Sequence, residues 1–383
     1  MGSKLISWAG IFFLLFILFF PLDFLGDFQR KISVFLFGSV TEWIASALFG
    51  LENFRIDFSS DSISMFVFMG ILLVLSLGVT TLIQPKHIQK LLSFSKEAVI
   101  VYLIVILMKY GFDKVFKAQF YLPEPNILFS RFGNLDRDIL FWSTMGVSRS
   151  YSIWIGGIEL LAAFLLLVCR TRVLGLLITV GIFMNIAAIN IGFDISVKLF
   201  SLILLLMTIF ALKDDWSQLF RFLVLKKEVK LQENTEKHRT SGPFKVFFKT
   251  AFIGCSLVLI LFPYISSGNY NDDTAERPFI HGAFKNTDEN SDLQYMFFHR
   301  NHYLILMDKK EHMRNFHYVP GPKGLFFLKD YDGKKIQMNI SYEKKDSLII
   351  LNWGSGKIRA KELNWKKMNA LRPLFHTTIE QVK

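Results

Sequence analysis

Long apolar runs alternate with short polar and basic segments over the first two thirds of the chain. A helix needs about 20 mostly apolar residues to cross the hydrocarbon core of a bilayer. By this measure the pattern predicts seven membrane-spanning helices, at residues 5–26, 63–84, 96–116, 150–168, 172–191, 195–212 and 245–266. The neighbourhood from Val34 to Met69, which contains Trp43, predicts an interfacial amphipathic helix ahead of the second span.

The last third of the chain follows a different pattern. From Asn269 onward, apolar residues occur in short alternating runs, which is the period of β-strands. Turn-forming residues separate these runs, including Pro320–Gly321–Pro322 and Asp332–Gly333, the second of which is a strong hairpin signal. We therefore expect a small antiparallel sheet or barrel, with strands near 294–299, 303–307, 325–329, 335–342 and 347–353.

These patterns divide the chain into five parts. They are an N-terminal transmembrane extension with two spans and an interfacial segment (1–95), a transmembrane core (96–212), a basic linker (213–244), a seventh transmembrane helix (245–266) and a β-rich domain (267–383). The predicted fold class is a membrane all-α helical bundle with a small C-terminal antiparallel β domain.

Composition and charge support a membrane location. The chain is 52% hydrophobic, has a mean hydropathy of +0.36 and contains 41 Phe, which excludes an ordinary soluble protein. Its formal net charge is +12, but the basic residues cluster in short segments beside the apolar runs, as the positive-inside rule expects. The charge therefore indicates topology rather than nucleic-acid binding, and the lipid bilayer is the first expected partner.

Three basic connections determine the predicted orientation. They lie at residues 86–96, 170–172 and 213–245, and the positive-inside rule places them in the cytoplasm. Alternation of the spans then places the amino terminus in the cytoplasm and the C-terminal β domain outside it. The chain is thus predicted to be a multi-pass protein with an extracytoplasmic domain.

The sequence offers no intrinsic cofactor or metal site. Cys169 and Cys255 lie in or beside predicted spans and form neither a disulfide framework nor paired zinc ligands. His299 and His302 are close together, but they would flank a turn and no second cluster completes a metal site. P-loop, dinucleotide and haem-attachment motifs do not occur.

Polar side chains inside the predicted spans are the most informative feature for function. A charge within a spanning helix costs roughly 2.5 to 3.5 kcal/mol on insertion scales, so each such residue requires a reason. The candidate site residues lie mostly toward the predicted outer ends of their helices. They are Lys109, Asp113, Glu159, Asn185, Asn190, Asp194 and Lys198.

The spacing of these residues separates Glu159 from the others. Lys109 and Asp113 are four residues apart, as are Asp194 and Lys198, so each pair can form an ion pair on one helix face. Glu159 has no such partner on its own helix, and a buried unpaired carboxylic acid tends to hold a proton. Glu159 is therefore the candidate for proton handling, and the other six are candidate ligand-binding residues. A purely structural clamp between helices remains the alternative for these pairs.

Two stretches give a family resemblance. The run KYGFDKVF from Lys109 to Phe116, and the run GGIELL from Gly156 to Leu161 with the turn Arg170–Arg172, resemble the DoxX-like group of bacterial membrane proteins. The match covers about 96–212 and implies a DoxX-like four-helix core in a bacterial cytoplasmic (inner) membrane. Some members of this group are membrane partners in thiosulfate or quinone-linked redox systems. The resemblance therefore implies a possible quinone link and another envelope or redox protein as partner.

Two functions follow as hypotheses, and the sequence leaves open whether the protein is an enzyme. In the first, the polar site binds a quinone headgroup or small oxyanion, Glu159 handles the proton, and the protein is a redox-associated membrane component. In the second, the bundle is a non-enzymatic anchor or scaffold that presents the β domain to an envelope partner. A proton-coupled small-solute transporter ranks behind both, because no inverted repeat or broken helix pair is recognisable.

Overall fold

The computed structural model describes residues 2–22, 27–51, 55–228, 243–320, 325–329, 335–343, 347–353 and 356–372. The chain divides into two compact units. The first, called the helical unit, comprises Met1–Gln119 and Ser150–Tyr270, and the second, called the β unit, comprises Phe120–Arg149 and Asn271–Lys383. The segment Phe120–Arg149, which connects two stretches of the helical unit in the sequence, therefore belongs to the β unit.

Helices make up most of the described chain before residue 270. They are α1 (Gly2–Phe19), α2 (Asp27–Phe49), α3 (Ile63–Leu82), α4 (Pro85–Val115), α5 (Pro125–Phe129), α6 (Arg137–Gly146), α7 (Arg149–Leu167), α8 (Arg172–Gly192), α9 (Lys198–Ala211), α10 (Trp216–Leu223) and α11 (Pro243–Ser267). In the described residues, six helices are long and apolar enough to cross a membrane, namely α2, α3, α4, α7, α8 and α11. These helices indicate a multi-pass membrane protein, as the apolar runs predicted.

The helix bounds differ from the predicted spans in three places. The first predicted span, 5–26, is too long, because α1 ends at Phe19 just before Pro21, which lacks the N–H needed to continue a helix. The predicted span 195–212 is also too long, since α9 has only 14 residues. α4 begins at Pro85, well before the predicted start at 96. The region from Val34 to Met69, where an interfacial helix is predicted, contains most of the 23-residue α2.

Aromatic contacts fix the directions of the central helices. Phe13 of α1 packs on Phe210 of α9, and Phe20, just after α1, packs on Phe200, so these two helices are antiparallel. Phe16 of α1 contacts Tyr102 of α4, and Gly10 lies beside Ser95, so α1 and α4 run in the same direction. The C-terminal ends of α1 and α4 thus share one end of the bundle with the start of α9. We name it the Asp113 end, and the opposite end the Lys96 end.

Ion pairs connect four helices at the Lys96 end. Lys96 Nζ lies 3.0 Å from Asp214, which follows α9. Glu97 of α4 pairs with Arg172 of α8 at 2.8 Å and with Lys249 of α11 at 2.9 Å. These partly exposed contacts fix the starts of α8 and α11, and the residues after α9, against the first half of α4.

The β unit contains eight strands in the described residues. They are β1 (Gly282–Asn286), β2 (Leu293–Phe298), β3 (Tyr303–Asp308), β4 (Met313–Pro320), β5 (Leu325–Lys329), β6 (Lys335–Glu343), β7 (Leu348–Trp353) and β8 (Gly356–Leu363). Each strand pairs antiparallel with the next, and β8 pairs with β1, so the strands form a closed barrel. The predicted antiparallel β domain is confirmed. Asp332 and Gly333 lie outside the described residues, but the two strands that they join, β5 and β6, are paired.

Apolar side chains fill the interior of the barrel, as expected for eight strands. The fully or nearly buried residues of this core include Phe284, Met296, Phe298, Leu304, Tyr318, Met338, Ile349, Leu351 and Ala360. A second apolar cluster lies on the other face of β1, β2 and β3. There Leu128 and Phe129 of α5 pack on residues such as Phe297, so the connection after α4 covers one side of the barrel.

Candidate functional site

Two deeply buried charges of the helical unit form an interhelical ion pair that sequence spacing did not predict. Lys114 Nζ of α4 lies 2.9 Å from both carboxylate oxygens of Glu159 in α7. The two side chains are 5% and 2% exposed. The expectation that Glu159 lacks a charged partner is therefore wrong. Its partner lies on another helix, and i,i+4 spacing predicts pairs only within one helix.

Two glycines bring this pair together. A Cβ atom at Gly156 of α7 would lie 2.6 Å from the carbonyl oxygen of Gly111 in α4, so the two helix backbones touch. Lys114 and Glu159 each follow their glycine by three residues, which is about one helical turn. Ser152 adds a hydrogen bond, because its hydroxyl donates to the Lys114 carbonyl oxygen at 2.7 Å. In the sequence, each of the two helices has a glycine followed by a charged residue three positions later. This shared pattern was the signal that could have indicated the ion pair.

The predicted pair of Lys109 and Asp113 is confirmed. The Lys109 ammonium contacts Asp113 Oδ2 within α4, and the Tyr264 hydroxyl of α11 donates to Asp113 Oδ1. Both members of the ion pair are partly buried. An ammonium, a carboxylate and a phenol thus meet where α4 and α11 lie side by side.

The predicted pair of Asp194 and Lys198 is also confirmed, and Asp61 joins it. Lys198 Nζ lies 2.8 Å from Asp194 and 3.8 Å from Asp61. The Asp61 carboxylate accepts hydrogen bonds from the backbone N–H groups of Lys198 and Leu199, at 2.7 and 3.0 Å. These are free donors in the first turn of α9, so Asp61 caps that helix and complements its dipole. Asp194 itself is 80% exposed.

The two asparagines have different environments. Asn190 is buried, and its amide donates to the Val197 carbonyl oxygen at 3.4 Å across the turn between α8 and α9. Asn185 lies on an exposed face of α8, apart from the buried candidates, and its role in ligand binding stays a prediction. The remaining candidates divide among the interhelical pair, the cluster of α4 and α11, and the cap of α9.

Glu124 is the centre of a second charge cluster, which lies in the β unit and was not predicted. Its side chain is 3% exposed, and it binds the Arg300 guanidinium and, at 2.8 Å, His281 Nε2. Arg300 also pairs with Asp272 at 2.5 Å, and Asp272 pairs with Arg277 at 2.7 Å. Glu124 precedes α5, so these contacts tie the connection after α4 to residues near the start of β1 and the end of β2.

Neighbouring cations keep the acids of this cluster ionised. Burial raises the pKa of Glu124, but the hydrogen bond from His281 and the charges of His299 and Arg300 outweigh burial and lower the pKa to about 2. Burial likewise raises the pKa of Asp272, yet Arg277 and Arg300 lower it overall. Burial lowers the pKa of His299 despite its proximity to Glu124.

A cavity of about 100 Å³ adjoins the Glu124 cluster. Its lining includes Arg277, His281, Arg300, Trp365 and Lys366. This volume fits a few water molecules or a small ion. His299 lies 4.0 Å from Glu124, and the part of the chain that the structure describes contains no group of three His, Cys, Asp or Glu arranged for a metal ion.

Comparisons with known proteins identify a relative but no activity. No family model matches the chain, and no solved structure matches it. The uncharacterized protein YwoB of Bacillus subtilis (strain 168) is 39% identical over 106 residues, which are 28% of this chain and 67% of the relative. Identity at this level over two thirds of the relative shows that the chain belongs to the same family as YwoB.

Proposed function

We propose that the protein is a non-enzymatic membrane anchor that presents its β unit to a partner in the cell envelope. The observation that supports this proposal is the pairing of Glu159 with Lys114. A carboxylate that contacts an ammonium through both oxygens and is 2% exposed is poorly placed to exchange protons with a ligand. The same pair suits a structural clamp, because a buried ion pair is costly unless the helices meet in one arrangement.

The position of the clamp in the chain agrees with this role. The connection that enters the β unit leaves α4 soon after Lys114 and re-enters the helical unit just before Ser152. The ion pair, the Ser152 hydrogen bond and the glycine contact therefore hold together the two points where this connection begins and ends. Asp61, which caps α9, and Glu97, which bridges α8 and α11, give the bundle further fixed points.

A paired substitution tests the anchor against proton chemistry. Lys114→Met should lower the melting temperature of the full-length protein in detergent, because it leaves a buried unpaired carboxylate. The double variant Lys114→Met, Glu159→Met replaces the pair by apolar side chains of similar length and should restore melting. An anchor predicts that the double variant also complements a deletion strain. A double variant that melts like wild type but fails to complement would refute the proposal.

A quinone-linked redox role is the second candidate, favoured by the cluster of Lys109, Asp113 and Tyr264. These side chains are partly buried on two adjacent helices and include two hydrogen-bond donors that suit a quinone carbonyl. The DoxX-like resemblance points the same way. Lipid extraction of the purified full-length protein, with Tyr264→Phe as the comparison, tests this role. Quinone that copurifies with wild type and is lost in the variant would favour it over the anchor.

We infer that the Lys96 end faces the cytoplasm of a bacterial cell and that the β unit lies outside it. The reason is the positive-inside rule, since the basic residues of three helices gather at the Lys96 end. They include Lys86, Lys90, Lys96, Arg170, Arg172 and Lys249. Protease added to right-side-out vesicles should then digest the β unit, and protection of that unit would refute this orientation.

A further inference from the structure

α2 has the length of a membrane span, yet its first contacts lie at the end of another helix. The Gln29 side-chain amide donates to the carbonyl oxygens of Ile17 and Leu18, at 3.2 and 3.0 Å. One turn later, the Ser33 hydroxyl donates to the carbonyl oxygen of Phe19. These belong to the last carbonyl groups of α1, which have no partner within the helix and point past its end. The first turns of α2 therefore cross over the end of α1.

The middle of α2 stays at the same end of the bundle. The Phe37 ring lies 5.0 Å from the ring of Phe19, the last residue of α1, and 5.3 Å from the ring of Phe68 in the second turn of α3. Gly38 lies beside Ile56, which precedes α3. A helix that folded back across the membrane beside α1 would meet residues progressively earlier in α1. The contacts of α2 instead advance from Ile17 to Phe19 and then to α3.

The linker that follows α2 finishes at the same end of the bundle as the one where α2 begins. Its Asp61 caps α9 at the Asp113 end, and Asp57, Ser59 and Ser60 bond to one another just before α3. If α2 crossed the bilayer, the linker to α3 would have to cross back, and its described residues, 50–51 and 55–62, are not helical. Lipid-exposed backbone cannot do so, because its N–H and C=O groups would lose their hydrogen bonds.

The two faces of α2 have different environments. Its buried residues follow a four-residue spacing, at Gln29, Ser33, Phe37, Thr41 and Ala45. The opposite face is exposed and carries the large apolar side chains Phe28, Phe35 and Trp43, of which Phe35 is 86% and Trp43 is 70% exposed. Helical spacing places the exposed polar residues Lys31, Ser39 and Glu42 on or beside the same face, so this face is mixed apolar and polar.

Polar residues indicate the depth at which this face lies. The exposed Asp194 carboxylate and the polar side chains of Asp57, Ser59 and Ser60 lie at the end of the bundle where α1 ends, and such groups favour the headgroup region over the hydrocarbon core. A helix that crosses the end of α1 therefore lies near the boundary between acyl chains and headgroups, where aromatic side chains are favoured. The exposed side chains of α3, such as Phe66 and Val74, continue the apolar surface into the bilayer.

We propose that α2 lies in the plane of the membrane at the Asp113 end and inserts its Phe28, Phe35 and Trp43 face among the lipids, without crossing the bilayer. The crossings are then made by α1, α3, α4, α7, α8, α9 and α11. The amino terminus then lies on the side of the Lys96 end, because α1 runs in the same direction as α4.

Depth measurement on the full-length protein tests this proposal. Cys169 and Cys255 are replaced by Ser, and single cysteines are introduced as Phe28→Cys, Phe35→Cys, Trp43→Cys and Leu48→Cys. Each is labelled with a small fluorophore and reconstituted into phosphatidylcholine vesicles that carry a nitroxide on the headgroup, near the top of the acyl chain or near its end. Matched controls are Phe66→Cys, Val74→Cys and Leu82→Cys on the exposed face of α3.

The two helices should give different depth profiles. All four α2 positions should be quenched more by the shallow nitroxides than by the deep one. On α3, Val74→Cys should be quenched most by the deep nitroxide, and Phe66→Cys and Leu82→Cys by the shallow ones. A profile on α2 with a deep middle and shallow ends would overturn the proposal. Labels on α2 that no lipid nitroxide quenches would also overturn it, because protein would then cover the face.

Discussion

The two units bury charge in different ways. In the helical unit, Lys114 and Glu159 form one pair, positioned by two glycines at a helix crossing. In the β unit, Glu124 lies in a network with His281, Arg300 and, through Arg300, Asp272. The pair depends on close contact between two backbones, whereas the network depends on several side chains from separate loops. The pair should therefore respond most to added volume, and the network to the loss of one charge.

Loss of the Glu124 charge should give the largest effect. Glu124→Gln leaves Arg300 and His281 without their buried anion, and breaking a buried ionic network costs about 3 to 5 kcal/mol. The variant should be digested faster by protease within the β unit of the full-length protein. Glu311→Gln is the control, because its partner Arg131 is exposed and such pairs contribute about 0 to 1 kcal/mol. Equal digestion of both variants would contradict a central role for Glu124.

Acid should weaken the β unit through the same residue. The pKa of Glu124 is lowered from 4.5 to about 2 in the folded state, so its contribution is present above the unfolded pKa and is lost as pH falls from about 5 toward 2. At 1.36 kcal/mol per pKa unit, this amounts to about 3 kcal/mol. Hydrogen exchange of the barrel strands in the full-length protein should accelerate over this range. Glu124→Gln should flatten the dependence, and an unchanged pH profile in that variant would contradict the assignment.

Added volume at the helix crossing should have the next largest effect. Gly156→Ala places a Cβ 2.6 Å from the Gly111 carbonyl oxygen, and overpacking of this kind costs about 1 to 3 kcal/mol. Gly157→Ala is a matched control one residue away, where no atom lies within 4 Å of the added Cβ. Thermal melts in detergent should show a loss for the first variant and no loss for the second. Similar melts for both would mean that α4 and α7 do not touch through their backbones.

Local spacing explains which parts of the site were predictable. The pairs of Lys109 with Asp113 and Lys198 with Asp194 follow from the helical repeat and needed no tertiary information. Lys114 and Glu159 are 45 residues apart, and Glu124 and Arg300 are 176 apart, so only the fold brings them together. Asp61 was missed for the same reason, since it caps a helix 137 residues further along the chain.

Periodicity explains which parts of the fold were predictable. Five strands were recognised because apolar residues alternate within them. Three strands were missed: β1 (GAFKN) has only five residues, and polar and basic residues dominate β4 (MRNFHYVP) and β8 (GKIRAKEL). α2 has enough apolar residues for a span, and composition cannot distinguish a helix that crosses the bilayer from one that lies along it. The hydrogen bonds of Gln29 and Ser33 to the end of α1 instead favour a helix that lies along the membrane.

The smallest effect should come from the cap of α9. Asp61→Ala removes the acceptor for the Lys198 and Leu199 N–H groups, and loss of such a cap costs about 0.5 to 2 kcal/mol. Asp194→Asn is the control, because that carboxylate is 80% exposed and asparagine tolerates the positive φ of 55° at this position. Hydrogen exchange in the first turn of α9 should accelerate in Asp61→Ala and change little in Asp194→Asn. The reverse order would show that the side-chain ion pair, rather than the cap, stabilises the start of α9.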